Sequence, residues 1–249
     1  GSALDIRESA VMVPPWGPDK SKWPRCTFFG AFDLGFRHPY SFGLYASVLD
    51  GVVVRIDGVQ AVGRGPMEIF QDVQGLLGRY GLTFSDLDYT VAGGDVAQER
   101  GKSLGLSSLK FSEGWAKMGW VINRAKSGKL HGLTNFRYYL SDNAYKICST
   151  TNGLWALRQL QERVLDDKGE GTRKDDARSD GTGGDDGYDE QRFALMSRPR
   201  APEVPDPGKL GRDPLKELPQ SKNVASSQHM VWNPDGTPCY ISPETWEES

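Results

Sequence analysis

Asp185-Asp186-Gly187-Tyr188-Asp189-Glu190-Gln191-Arg192-Phe193-Ala194 is the stretch on which the fold turns. Carboxylates open it, and the apolar residues that follow, through Leu195 and Met196, predict a helix. Asp189 stands about one turn beyond Asp185 on the same helical face. Clustered carboxylates repel one another unless a cation neutralises them, and a hard divalent cation takes such oxygen ligands.

Working outward, two more acids end apolar strands. Thr27-Phe28-Phe29-Gly30-Ala31-Phe32-Asp33 reads as a buried strand with a carboxylate at its tip, and Tyr89-Thr90-Val91-Ala92-Gly93-Gly94-Asp95 repeats the pattern. Asp33 and Asp95 join the acids of the helix start if the second strand returns beside the first. Asp86 or Asp88 competes with Asp95, and the pair Asp175-Asp176 competes with Asp185-Asp186. No apolar helix follows Asp175-Asp176 to fix its carboxylates. For an isolated Asp-x-Gly, such as Asp33-Leu34-Gly35, a plain turn is the default reading. Against that default stand two strand tips and a helix start that each carry a carboxylate.

The rest of the chain is read around these points. Residues 1 to 24 contain Val13-Pro14-Pro15-Trp16-Gly17-Pro18 and Trp23-Pro24 and are expected to be a linker that packs through its tryptophans, with Gly1-Ser2 as a cloning scar. Asp50-Gly51 between Tyr40 to Leu49 and Val52 to Ile56 predicts a hairpin, so the domain opens with a three-stranded meander. Pro66 to Tyr80 has helical spacing and stops at Gly81. Further helices are expected over about 114 to 126 and 154 to 165, and a short strand over Phe136 to Leu140. Residues 166 to 184, rich in Gly and Asp, are expected to be a mobile loop. After 198 the prolines (Pro199, Pro202, Pro205, Pro207, Pro214, Pro219) predict an extended tail over 199 to 249. Its aromatic end is expected to dock on the domain or on a partner.

Composition excludes several classes. No stretch approaches the roughly twenty apolar residues of a membrane span, and no secretory leader pattern is present. Cys26, Cys148 and Cys239 are too few and scattered for a disulfide framework or zinc site, and His38, His131 and His229 are equally dispersed. Val96 to Ser103 ends like a phosphate-binding loop, but Val96 stands where the first glycine is required. The net charge of −3 conceals asymmetry: between Arg100 and Lys146 nine basic residues face two acidic ones. Such a segment suits a polyanion, and Arg100, Lys102, Lys126 and Lys129 are the candidate phosphate contacts.

The order strand, strand, strand, helix, strand, helix, with acids on the first strand, the fourth strand and the last helix, is that of the ribonuclease H-like fold, an α/β fold with a mixed central β-sheet flanked by helices. Within it, Phe32-Asp33-Leu34-Gly35, Val91-Ala92-Gly93-Gly94-Asp95 and the Asp185 to Ala194 stretch resemble the nuclease domain of a tailed-bacteriophage terminase large subunit. The last stretch carries the likeness furthest, and its register leaves Asp185 or Asp186 as the third acid. The resemblance covers roughly 25 to 198, expected as one nuclease domain. It implies a metal-dependent endonuclease cutting double-stranded viral DNA during genome packaging, in the host cytoplasm. Asp33, Asp95 and Asp186 would be catalytic, and Asp185 and Asp189 would join them in holding two Mg2+ or Mn2+ ions. It also implies as partners the terminase ATPase domain, the small terminase subunit and the portal or procapsid. Another nuclease of this fold, of resolvase or integrase type, and a catalytically silent DNA-binding or capsid-docking module are the alternatives.

Overall fold

The computed structural model describes residues 3–4, 6–17, 26–35, 39–48, 51–93, 111–126, 128–163, 186–198, 229–232 and 238–241. The expected mobile loop over 166 to 184, and Asp95, Arg100, Lys102, Asp175, Asp176 and Asp185, lie outside these. Contacts divide the chain into Gly1–Arg198 and Pro199–Ser249.

In the first unit, a short helix α1 (Glu8–Val11) leads into strand β1 (Met12–Val13). Strands β2 (Thr27–Asp33), β3 (Tyr40–Ser47) and β4 (Val53–Ala61) form the expected meander. Helix α2 (Pro66–Arg79) and strand β5 (Tyr89–Ala92) follow, then α3 (Phe111–Lys117), β6 (Asn123–Arg124), α4 (Lys129–Ser141), β7 (Tyr145–Cys148), α5 (Thr151–Gln161) and α6 (Asp186–Ser197). The seven described strands make one sheet, in the order β1-β7-β4-β3-β2-β5-β6. Among them only β3 runs against the others, pairing antiparallel with β2 and β4, so the sheet is mixed. The C-terminal ends of β2, β4, β5, β6 and β7 therefore share one edge.

Both faces of β2 are buried, as central strands of an α/β sheet require. Phe28 and Phe32 point to one face, where Phe32 meets Trp115 and Trp120 edge-on at ring centroid distances of 5.7 Å. Trp120 donates through Nε1 to Thr90 Oγ1 at 3.3 Å. Phe29 and Ala31 point to the other face, where Phe29 stacks between Tyr45 and Tyr89 and joins a core with Phe136, Tyr188, Phe193 and Ala194. Asp33 has the parity of Phe29 and Ala31 and so belongs to the face covered by α6.

Several local expectations change. Phe136 to Leu140, expected as a strand, lies inside α4, because Leu133, Phe136 and Tyr139 form its buried stripe while Tyr138 stays exposed. The helix expected to reach residue 126 stops at Lys117, and β6 follows. Residues 1 to 24, expected as a linker, contribute β1, which pairs in parallel with β7 (Met12↔Ile147, Val13↔Cys148). Ala3, Leu4, Val11, Val13 and Trp16 are buried. Arg137 holds this segment by donating twice to the Ala3 carbonyl, at 3.0 and 3.2 Å, and Lys146 Nζ donates to the Ala10 carbonyl at 2.7 Å. Helix α5 starts on Thr150, whose hydroxyl accepts from Gly153 N at 3.0 Å, a cap worth about 1 kcal/mol.

In the second unit, β8 (His229–Trp232) and β9 (Pro238–Ile241) pair antiparallel, so the chain after residue 198 includes a hairpin as well as its proline-rich stretch. No helix among the described residues is long and apolar enough to cross a membrane.

Candidate metal centre

Asp33 ends β2 half-buried, opposite Ser41 of β3. On its other side β5 runs parallel with Phe32 beside Ala92, as the two-tip arrangement requires, so Gly93 comes next to Asp33. A β-carbon on Gly93 would lie 3.5 Å from Asp33 Oδ1 and 3.0 Å from Phe193 Cε2 of α6. Strand tip, strand tip and helix thus converge at one point, and a side chain at 93 would fill it.

Helix α6 crosses the sheet obliquely. Gly187 presses on Trp155 of α5, Glu190 lies over Gly43 of β3, and Phe193 reaches Gly93 beside Asp33. Asp186, buried at the N-terminal end, is therefore at the α5 side, and Asp189 is intermediate between it and Phe193. Asp189 shares a helical face with Phe193 one turn on, and Asp186 is about 10 Å of helix rise from Phe193. The Asp189 side chain is 20% exposed and pairs with Arg192 Nε at 3.0 Å. The buried Arg192 guanidinium also sits 4.6 Å from the centroid of the Phe193 ring, and its Nη1 has no hydrogen-bond partner among the described residues.

Among the described residues no three His, Cys, Asp or Glu side chains gather closely enough to hold an ion. Asp33, Asp186 and Asp189 therefore do not close a site by themselves, and Asp95 and Asp185 lie outside the described residues. The donors that α6 and β2 do present are all carboxylate oxygens, which suits a hard divalent cation. The competitors of Asp95 are placed elsewhere: Asp88 Oδ2 accepts from Phe28 N at 2.9 Å, and Asp86 Oδ2 accepts from Thr83 N at 2.8 Å. Both precede β5, away from the edge that carries Asp33.

The residues that sequence reasoning missed form the support beneath α6. Glu190 is fully buried and accepts from Ser41 Oγ at 3.1 Å, from the Tyr45 hydroxyl and from Arg55 Nη2 at 3.0 Å. Arg55 is equally buried and also reaches Asn152 Oδ1 of α5 at 2.8 Å. Burial alone would lower the Arg55 pKa, but the Glu190 charge beside it overrides this and holds it above the ordinary arginine value. Burial, and then the Glu190 charge, push the Tyr45 hydroxyl well above its usual range. A charge pair this deep persists only with its hydrogen bonds made. Next along the helix, Gln191 accepts from the Tyr145 hydroxyl at 2.7 Å and donates to the Ala156 carbonyl at 3.2 Å. The one trace in the sequence is Arg55, a charge inside an otherwise apolar strand; nothing local to Glu190 marks it as its partner.

Of the candidate phosphate contacts, Lys126 is exposed just beyond β6, its backbone N–H donating to Ser197 Oγ at 3.2 Å. Lys129 opens α4, its side chain outside the described residues. Arg137 and Lys146 are committed to the N-terminal segment, so the basic segment is not one free face.

This arrangement, a mixed sheet with Asp33 at the shared strand edge and an acid-bearing helix laid across it, is the ribonuclease H-like fold. More particularly, the chain has the fold of a large-terminase nuclease domain. The nuclease domain of the P22 large terminase matches at a TM-score of 0.58 and 14% identity, over 79% of this chain and 91% of that one. The large terminase of a thermophilic bacteriophage matches at 0.57 and 15% identity in one crystal form, over 78% of this chain and 44% of that one. In another crystal form the same terminase matches at 0.56 and 14%, over 76% and 43%. The chain thus spans less than half of that larger protein. No protein-family profile and no curated protein matches the sequence.

Proposed function

We propose that the chain is a divalent-metal-dependent endonuclease that cuts double-stranded DNA during viral genome packaging, as the nuclease part of a terminase large subunit. The observation that carries this reading is the meeting of Asp33, Gly93 and Phe193, which brings the acid-ended strand β2, the end of β5 and helix α6 together in a fold shared with a terminase nuclease domain. Asp33, Asp95 and the α6 acids Asp185, Asp186 and Asp189 would hold two Mg2+ or Mn2+ ions. Bound there, the ions would supply an activated water and positive charge for the leaving oxygen. Asp33 is fixed by the β2 ladder, and Arg192 orients Asp189. Ser41, Tyr45 and Arg55 set the height of α6 through Glu190. Lys126, with Arg100, Lys102 and Lys129, would grip phosphates without reading base edges, so cutting would be largely sequence-independent.

The ATPase domain, the small terminase subunit, the portal or procapsid and the host cytoplasm belong to this proposal as the setting in which such a domain works. In domain terms, 25 to 198 is the nuclease, here extended by β1, and 199 to 249 is an appended unit. The test is supercoiled-plasmid nicking with Mn2+, Mg2+ or EDTA, for the full chain and for Asp33→Asn. Metal-dependent nicking lost in the variant supports the proposal. No nicking by the parent in either metal would leave a binding module in its place.

A further inference from the structure

A cavity of about 850 Å3 opens at the same sheet edge as Asp33, between the end of β4, the end of α2 and the start of α5. Its wall includes Asp57, Gln60, Arg79, Thr151, Trp155 and Arg158. Its position follows from the register. Asp33 pairs with Ser41, and Ser41 pairs with Gln60, so Gln60 is two strand spacings, about 10 Å, from Asp33 along one row of the sheet. β7 pairs with β4 only as far as Arg55, so from Asp57 onward no described strand pairs with β4 on that side, and the cavity lies along it.

The chemistry of the wall is that of a polynucleotide site. Arg158 is exposed and makes no ion pair among the described residues. Arg79 is 63% exposed and touches Asp57 at 3.3 Å. Asp57, the one carboxylate among the described wall residues, is already engaged: it also accepts from the Tyr80 hydroxyl at 3.0 Å and from Thr150 Oγ1 at 2.8 Å. Its side chain is only 10% exposed, so the accessible charge is that of the two guanidinium groups. On the same wall Trp155, half-buried with one ring edge against Gly187, adds an aromatic surface, and aromatic stacking beside a cationic track is how single strands are held. A volume of this size suits a small ligand, roughly one or two nucleotides, and is too small for a duplex. Lys126 stands on the opposite flank of Asp33, beyond β6, so positive charge brackets the acidic edge on both sides.

We propose that this cavity binds an unpaired nucleotide of a DNA strand adjacent to the cut, with phosphate on Arg79 and Arg158 and the base on Trp155. This rests on the nuclease reading only for its link to cleavage, since binding is measured separately.

The experiment uses the full chain in EDTA, with a fluorescein-labelled 12-residue thymidine oligonucleotide as probe, the matched duplex as second probe, and Arg79→Ala/Arg158→Ala as variant. Both side chains are exposed, and circular dichroism checks that the fold is kept. Loss of two phosphate contacts is expected to weaken single-strand binding about 25-fold at 0.1 M salt and to flatten the salt slope by about 1.4. Duplex binding is expected to change far less. Equal binding of the single strand by parent and variant overturns the proposal, as does a parent that binds no oligonucleotide, or a loss confined to the duplex. Plasmid nicking in Mn2+ is run alongside. If the parent binds the single strand through the arginines yet nicks nothing, the nuclease reading fails and the cavity assignment stands. If the parent nicks and the variant binds normally, the reverse holds.

Discussion

Glu190 lies directly over Gly43, its carboxylate occupying the space that a β-carbon on residue 43 would take. The helix that carries Asp186 and Asp189 can approach the sheet this closely only because β3 has no side chain there. Gly43→Ala is therefore expected to destabilise the protein by about 1–3 kcal/mol, in the range of overpacked cores. Urea unfolding would show it as a lower midpoint at unchanged slope.

The Arg55–Glu190 pair gives a second expectation. Arg55→Met alone leaves a buried carboxylate without its counter-charge and is expected to cost about 3–5 kcal/mol. Arg55→Met with Glu190→Leu removes both charges and is expected to recover a large part of that loss. A double-mutant cycle measures the coupling, and additive losses would show that the pair does not stabilise α6 as a unit.

Asp33→Asn is expected to abolish metal-dependent nicking while leaving the fold intact, since it removes one charge from a set of repelling carboxylates. The parent should gain thermal stability with Mn2+, by about 2.7 kcal/mol at a hundredfold excess over Kd. Changing Asp33, Asp95, Asp186 or Asp189 singly is expected to shrink that gain, and changing Asp175 or Asp176 is not. Differential scanning calorimetry across a metal titration checks this.

Cys148 is fully buried, and burial pushes its thiol up to about 12. In a Cys239→Ser background at pH 8, Cys26 is expected to react with a thiol reagent promptly and Cys148 only on unfolding. The same shift has a sign for stability. The folded state keeps its proton where the unfolded thiol loses it, so the contribution is full below the ordinary thiol value of about 8.5 and is lost as pH rises toward about 12.

The fold was legible where a pattern recurred across strands: Thr27–Asp33, the Asp50-Gly51 turn and Tyr89–Ala92 announce a meander and a returning parallel strand, and the ladders agree. It was illegible where one sequence satisfies two periods. Phe136, Tyr138 and Leu140 alternate as a strand would, but Leu133, Phe136 and Tyr139 at helical spacing are the residues buried. Tyr145–Cys148 is four residues long with Lys146 inside it, too short to stand out, and it gains strand character from β4 and β1 on either side. At the candidate site the strand acid Asp33 could be read from position alone. Glu190 could not, because its partners Ser41, Tyr45 and Arg55 lie about 135 to 149 residues away and only the folded sheet brings them under it.

The two-residue strand β1 has a practical bearing that its size conceals. Among the described strands it is the outermost on its side of the sheet, and it covers the hydrogen-bonding edge of β7 at Ile147 and Cys148. A shortened protein that begins at residue 25, where proline content would invite a cut, loses that cover and presents an apolar strand, Tyr145 to Cys148, with open backbone groups. Such an edge is a template for another chain. Poor recovery of a shortened protein would then report self-association through β7, and retaining residues 3 to 17 is the remedy.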